Sequence, residues 1–127
     1  MCDDNEQQSA TAGKTRKREY RVLPAGRAEL VRWAHAPSPP MDLRDEFMVK
    51  LRADATLSEV DLRPELRRQI EQHQAQLAHY RAIEAHDFPP GRALAREARI
   101  QHMILKKGIL YEEVSIGWAQ EMLDVLA

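Results

Sequence analysis

The segment Asp61–Asp87, DLRPELRRQIEQHQAQLAHYRAIEAHD, decides the architecture of this chain. Leu62, Leu66, Ile70, His73, Leu77, Tyr80 and Glu84 recur every three or four positions, which predicts one face of a helix. Pro64 falls in the first turn, where its missing N–H costs nothing. At 1.5 Å per residue such a helix spans ~40 Å. A compact domain of this length has a radius of gyration near ~14 Å, so the helix overhangs its own domain and its stripe needs a second element or a second chain to cover it. His73 and Glu84 interrupt the apolar pattern in the manner of an imperfect coiled-coil seam.

Downstream, Phe88-Pro89-Pro90-Gly91 reads as a turn, and a last helix is expected from near Arg92 to Leu126. Its stripe is Ile100, Ile104, Tyr111, Val114, Trp118, Met122 and Val125. Gly108 and Gly117 each weaken it by roughly 1 kcal/mol relative to alanine. Upstream, Asp42–Ala53 predicts a helix capped by Asp42, with Leu43, Phe47, Met48 and Leu51 at helical spacing. Asp54–Glu59 is a connector. Pro24 opens a shorter helix to Ala34 that carries Ala28, Leu30, Val31, Trp33 and Ala34, and Pro37, Pro39 and Pro40 end it. Lys14–Leu23 alternates through Tyr20 and Val22 as a short strand. The fold expected is mainly α: a short strand followed by four helices, the last two long and forming an antiparallel dimerising hairpin. A monomeric antiparallel hairpin is the other assembly this pattern allows. Residues 1–15 are polar, small and aperiodic, and are expected to be disordered.

The chain has 127 residues and a formal net charge of −1, but the charge is unevenly spread. Asp3, Asp4 and Glu6 make the terminus acidic, whereas Lys14, Arg16, Lys17, Arg18, Arg21, Arg27 and Arg32 oppose only Glu19 and Glu29. That implies a local polyanion-binding patch and not a wholly basic nucleic-acid binder. Cys2 is the single cysteine, which excludes an internal disulfide framework and a multi-cysteine zinc site. No apolar run approaches the ~20 residues of a membrane span and no leader pattern opens the sequence, so a cytoplasmic protein is expected.

Chemistry-bearing constellations are scarce. His73, His79, His86 and His102 lack metal-ligand spacing, and no metal or other cofactor is expected. Glu112 and Glu113 are adjacent, so they point to different sides of a helix and cannot pair as acid and base. No phosphate-binding glycine loop or nucleophile elbow occurs. No catalytic residue is expected. Trp33, Tyr80, Tyr111 and Trp118 could line a pocket for a small aromatic effector, although aromatics at helical spacing more often fill cores.

Three segments together resemble the PadR family of transcriptional regulators. Tyr20-Arg21-Val22-Leu23-Pro24-Ala25-Gly26-Arg27 is similar to that family's second wing strand running into the following helix. Leu43-Arg44-Asp45-Glu46-Phe47-Met48-Val49-Lys50-Leu51 is similar to its "LRDE" helix, and Lys106-Lys107-Gly108-Ile109 followed by Trp118 to the end of its last helix. In order, they span Lys17 to Leu126. Leu23 stands where the family usually has threonine, a lost cap worth ~1 kcal/mol. The resemblance begins at the wing, whereas the family's base-reading helix lies upstream of it.

The resemblance implies three regions: a disordered stub at 1–15, a wing-like β remnant with a linker helix at 16–35, and a C-terminal helical dimerisation domain at 40–127. It implies a dimer interface on Leu66, Ile70, Leu77, Tyr80, Ile104, Tyr111, Val114, Trp118 and Met122. It also implies phosphate contacts from Lys14, Arg16, Lys17, Arg18 and Arg21, which contribute salt-dependent affinity and little sequence choice. The expected function is the dimerisation and regulatory domain of a DNA-binding regulator. The alternative is a stand-alone helical protein that modulates a full-length PadR-like paralogue by heterodimerisation.

Overall fold

The computed structural model describes residues 21–41 and 45–127. Four helices follow in order, α1 (Pro24–His35), α2 (Glu46–Leu57), α3 (Arg63–Asp87) and α4 (Arg96–Leu126). The chain divides into two units, Met1–Arg44 and Asp45–Ala127. No strand occurs among the described residues. The expected disordered stub at 1–15 and most of the expected wing strand lie outside them, and the strand's last residues, Arg21–Leu23, are non-helical and unpaired in any sheet.

In the first unit α1 begins where Pro24 presets the backbone, and Leu23 contributes no side-chain cap. Arg32 pairs with Glu29 one turn back, and the His35 ring meets the Val31 carbonyl at 2.8 Å. The helix gives out at Ala36, the residue before Pro37, which disfavours helical backbone there.

In the second unit the cap of α2 is Asp45 in place of the expected Asp42, which lies outside the described residues; the Asp45 Oδ1 accepts from the Phe47 N–H at 3.0 Å. Both aspartates have capping chemistry. The later start suits Phe47, which is buried in the core at the first turn. Helix α2 does not stop at the expected Ala53 but runs through Leu57, taking in most of the expected connector, and ends on Ser58 in the left-handed region, with φ 54°. Asp61 then accepts from the Arg63 N–H at 3.1 Å, and Pro64 occupies the first turn of α3. Glu65, also in that turn, is held down to about 2 by the Arg68 guanidinium and the Gln69 amide. Helix α4 opens at Arg96 rather than near Arg92, because the turn at Pro90–Gly91, with Gly91 at φ +80°, is followed by four residues without regular structure, the last of them, Ala95, extended.

Helices α3 and α4 run in opposite directions against each other. Leu66 and Ile70 share a cluster with Ala119, His73 meets Glu112, and the Glu84 carboxylate meets His102 at 2.8 Å. Residue numbers therefore fall along α4 as they rise along α3. Phe47 and Leu62 complete the buried cluster, with Met48, Leu51, Ile116, Met122, Leu123 and Leu126 packed around it. Leu66 has no exposed surface at all.

Gly108 has a structural reason to be glycine. A Cβ there would lie 3.0 Å from Cε2 of Tyr80, whereas one at Gly117 would meet nothing within 4 Å. Gly117→Ala is therefore expected to stabilise by about 1 kcal/mol. Gly108→Ala should leave stability unchanged or lower it, and should become stabilising by about 1 kcal/mol in a Tyr80→Ala background. Denaturant unfolding of the four Tyr80/Gly108 combinations measures that coupling, and strictly additive changes would show that the ring does not govern the site.

Candidate functional site

Along α4, the residues His102, Leu105, Ile109, Glu112, Ile116, Ala119, Leu123 and Leu126 are all buried or half-buried. Their spacing alternates three and four, which makes them one continuous seam. A second row, Ile100, Ile104, Lys107, Tyr111, Val114, Trp118, Glu121 and Val125, has the same spacing and is exposed throughout. At 100° per residue the two rows sit roughly 160° apart, on opposite faces of the helix. Ile104, Val114 and Val125 are 69%, 70% and 75% exposed. One helix thus carries two apolar faces, of which its own chain covers one.

What holds the covered face is partly polar. Glu112 is buried, and its carboxylate hydrogen-bonds Nδ1 of His73 from α3, with the Tyr111 ring edge-on to that imidazole at 6.2 Å. Nearer the turn, His102 bonds Glu84 and stacks on Phe88 with centroids 4.8 Å apart. Arg81 donates to Glu113 at 2.8 Å on the exposed flank. Glu112 and Glu113 do point to different sides of the helix. These pairs pin α3 to one register on α4, and so fix which α4 residues face outward.

The expected interface residues separate into two groups. Leu66, Ile70 and Met122 belong to the chain's own core, and Leu77 and Tyr80 are half-buried on α3. Ile104, Tyr111, Val114 and Trp118 lie on the outward face of α4. Lys14, Arg16, Lys17 and Arg18 lie outside the described residues, and Arg21 is exposed. Two polar members of the outward row, Lys107 and Glu121, went unrecognised in the sequence because only apolar positions were used to trace the stripe. Extending the strict three-four spacing from Ile100 to Val125 would have found them. Among the described residues no group of acidic, histidine and cysteine side chains is arranged to hold a metal ion, and no helix is long and apolar enough to cross a membrane.

The second unit, three helices ending in a long antiparallel pair, falls in a C-terminal domain found in a class of transcriptional regulators. The chain belongs to the family described as virulence activator alpha C-term, whose model matches residues 43–127. The probable transcriptional regulator Rv1176c of Mycobacterium tuberculosis is 31% identical over 124 residues, covering 90% of this chain and 66% of that protein. The structure of the Vibrio cholerae virulence activator AphA superposes with a TM-score of 0.72 at 31% identity, covering 85% of this chain and 66% of that one. Bacillus subtilis PadR, solved in complex with operator DNA, also gives 0.72, at 20% identity over 94% of this chain and 67% of that one. The chain thus spans about two thirds of the length of these relatives, and its helical domain is related to those of PadR-like regulators.

The buried pair gives a direct test of what fixes the outward face. His73→Ala leaves the Glu112 carboxylate buried without its partner and should cost about 1–3 kcal/mol. Replacing both residues with leucine removes the polar demand and should stay much closer to wild type. Denaturant unfolding of the single and double variants checks this, and a double variant as unstable as the single one would assign the cost to lost packing.

Proposed function

We propose that this chain is the dimerisation and regulatory domain of a PadR-like DNA-binding transcriptional regulator, without catalytic activity of its own. The observation that carries this reading is the exposed row of Ile100, Ile104, Tyr111, Val114, Trp118 and Val125 on α4, left open while the opposite face is filled. An apolar stripe of that length on a polar helix is what a partner helix covers. A second copy of the chain supplies an identical stripe, and a closed two-fold pairing lets each copy cover the other.

The family relationship supports the regulatory part of the proposal, and the solved operator complex of PadR supports DNA as the ultimate partner. For this chain, DNA contact rests on the cations Lys14, Arg16, Lys17, Arg18 and Arg21, which suit phosphates. Phosphate contacts release counterions and weaken steeply with salt, so binding by this chain alone is weak and without sequence preference. Tyr111 and Trp118 add rings on which a small aromatic effector would stack. A regulator of this kind works in the cytoplasm.

Sedimentation at tens of micromolar, an order-of-magnitude choice at weak-dimer affinity, is expected to give a dimer for the wild-type chain and a monomer for Val114→Asp with its helix content intact. A wild-type monomer would overturn the proposal, and so would a Val114→Asp dimer. Replacing Lys14, Arg16, Lys17 and Arg18 together with alanine should abolish low-salt DNA binding in a mobility-shift assay while leaving the sedimentation profile unchanged. A footprint on a defined sequence at physiological salt would contradict the phosphate-only reading.

A further inference from the structure

The outward row of α4 contains two charged residues, Lys107 and Glu121, each at a position where the three-four spacing calls for an apolar side chain. Neither forms an ion pair among the described residues, and the same is true of Arg96, Arg99 and Asp124. Charge along the helix is strongly polarised. Arg96, Arg99, Lys106 and Lys107 oppose only Glu97 in the first part, whereas Glu112, Glu113, Glu121 and Asp124 stand without any cation in the remainder. At the basic end a shallow groove on Ile100, Met103 and Ile104 is rimmed by Arg96, Arg99 and Lys107.

We propose that Lys107 and Glu121 set the orientation and the choice of partner at this face, by admitting a second α4 only when it lies antiparallel. The proposal rests on the reading that a second copy covers the row. In a parallel pair, equivalent positions meet across the seam, so Lys107 would face Lys107 and Glu121 would face Glu121. Both contacts place like charges inside a desolvated seam. In an antiparallel pair centred between Tyr111 and Val114, the facing positions become Ile100 with Val125, Ile104 with Glu121, Lys107 with Trp118, and Tyr111 with Val114. Every member of the row then has a counterpart.

Lys107 lies over the indole of Trp118 of the second copy, a favourable site for a cation. Glu121 lies one turn from Lys107 of the second copy, within reach of its flexible stem. The acidic end of each helix covers the basic groove of the other, and two-fold symmetry makes every such contact twice. A single polar residue in a seam sets register and partner choice at some cost in stability, and here two residues of opposite sign share that task.

The consequence is a charge code. Lys107→Glu alone sets a new carboxylate beside Glu121 twice per dimer, and Glu121→Lys alone sets a new ammonium beside Lys107 twice. Each single variant should weaken homodimerisation roughly tenfold or more. Mixed together, the two variants satisfy both contacts and should form a heterodimer, as should the double variant with itself. Orientation is read separately in a Cys2→Ser background. Ile100 and Val125 stand about 38 Å apart along the helix, so Ile100→Cys mixed with Val125→Cys should cross-link on oxidation with glutathione disulfide, while Ile100→Cys alone should not.

Self-cross-linking of Ile100→Cys would overturn the antiparallel arrangement while leaving the dimer proposal standing. Single charge variants that dimerise like wild type would overturn the assignment to Lys107 and Glu121, as would a mixture no tighter than its components. A wild-type chain that stays monomeric would remove both readings together.

Discussion

The rest of the second unit depends on the antiparallel seam between α3 and α4. Leu66, Ile70 and Ala119 supply its dry end, and Phe47 and Leu62 close over them. Toward the turn the seam becomes polar, with His73 on Glu112 and Glu84 on His102. Few residues are buried outright, so the domain is thin and held by a narrow line of contacts. In a thin domain, each polar pair counts twice. It satisfies a group that would otherwise be desolvated without a partner, and it specifies register where apolar side chains alone would tolerate a slip of one turn.

That register has a consequence for the opposite side of α4. Because the inner row is fixed by Glu112 and Ala119, the outer row is fixed as well, since a helix is rigid about its own axis. The outward face is therefore a by-product of the seam, aligned over five turns and more, with the edge of the Tyr111 ring reaching back to His73. Small residues assist the arrangement: Ala119 lets α3 approach, and Gly108 accepts the ring of Tyr80. Where the ring passes over the backbone, helix propensity is sacrificed for closeness, a trade that packing routinely wins over intrinsic preference.

Function in such a domain comes from geometry more than from reactive groups. Under the proposed dimerisation role, the exposed row at coiled-coil spacing would be the part offered to a second copy, with backbone rigidity supplied from behind. In such a pairing the charged members of the row would carry information that apolar members cannot, because a leucine accepts many neighbours and a lysine in a seam accepts few. The basic residues of the other unit belong to a different kind of chemistry, long-ranged and sensitive to salt.

Sequence by itself determined the order of the four helices and the α3 stripe: Leu62, Leu66, Ile70, His73, Leu77, Tyr80 and Glu84 all face inward, because a 3.6-residue period leaves little freedom in which side chains share a face. It also marked Pro24 and Pro64 as first-turn residues, since proline's fixed backbone angle suits only a few positions. Helix starts were less legible. Asp42 and Asp45 have the same capping chemistry, and Arg92 and Arg96 are equally able to begin a helix, so burial of Phe47 and the left-handed turn at Gly91 made those choices. Only the tertiary structure decided which α4 face is spent inside the chain. The two rows are both apolar enough to be a core, and Met122, read from the sequence with the outward stripe, turned out to pack against Leu66 and its neighbours. Periodicity reports that a face is apolar, whereas the identity of what covers it depends on contacts between residues far apart along the chain.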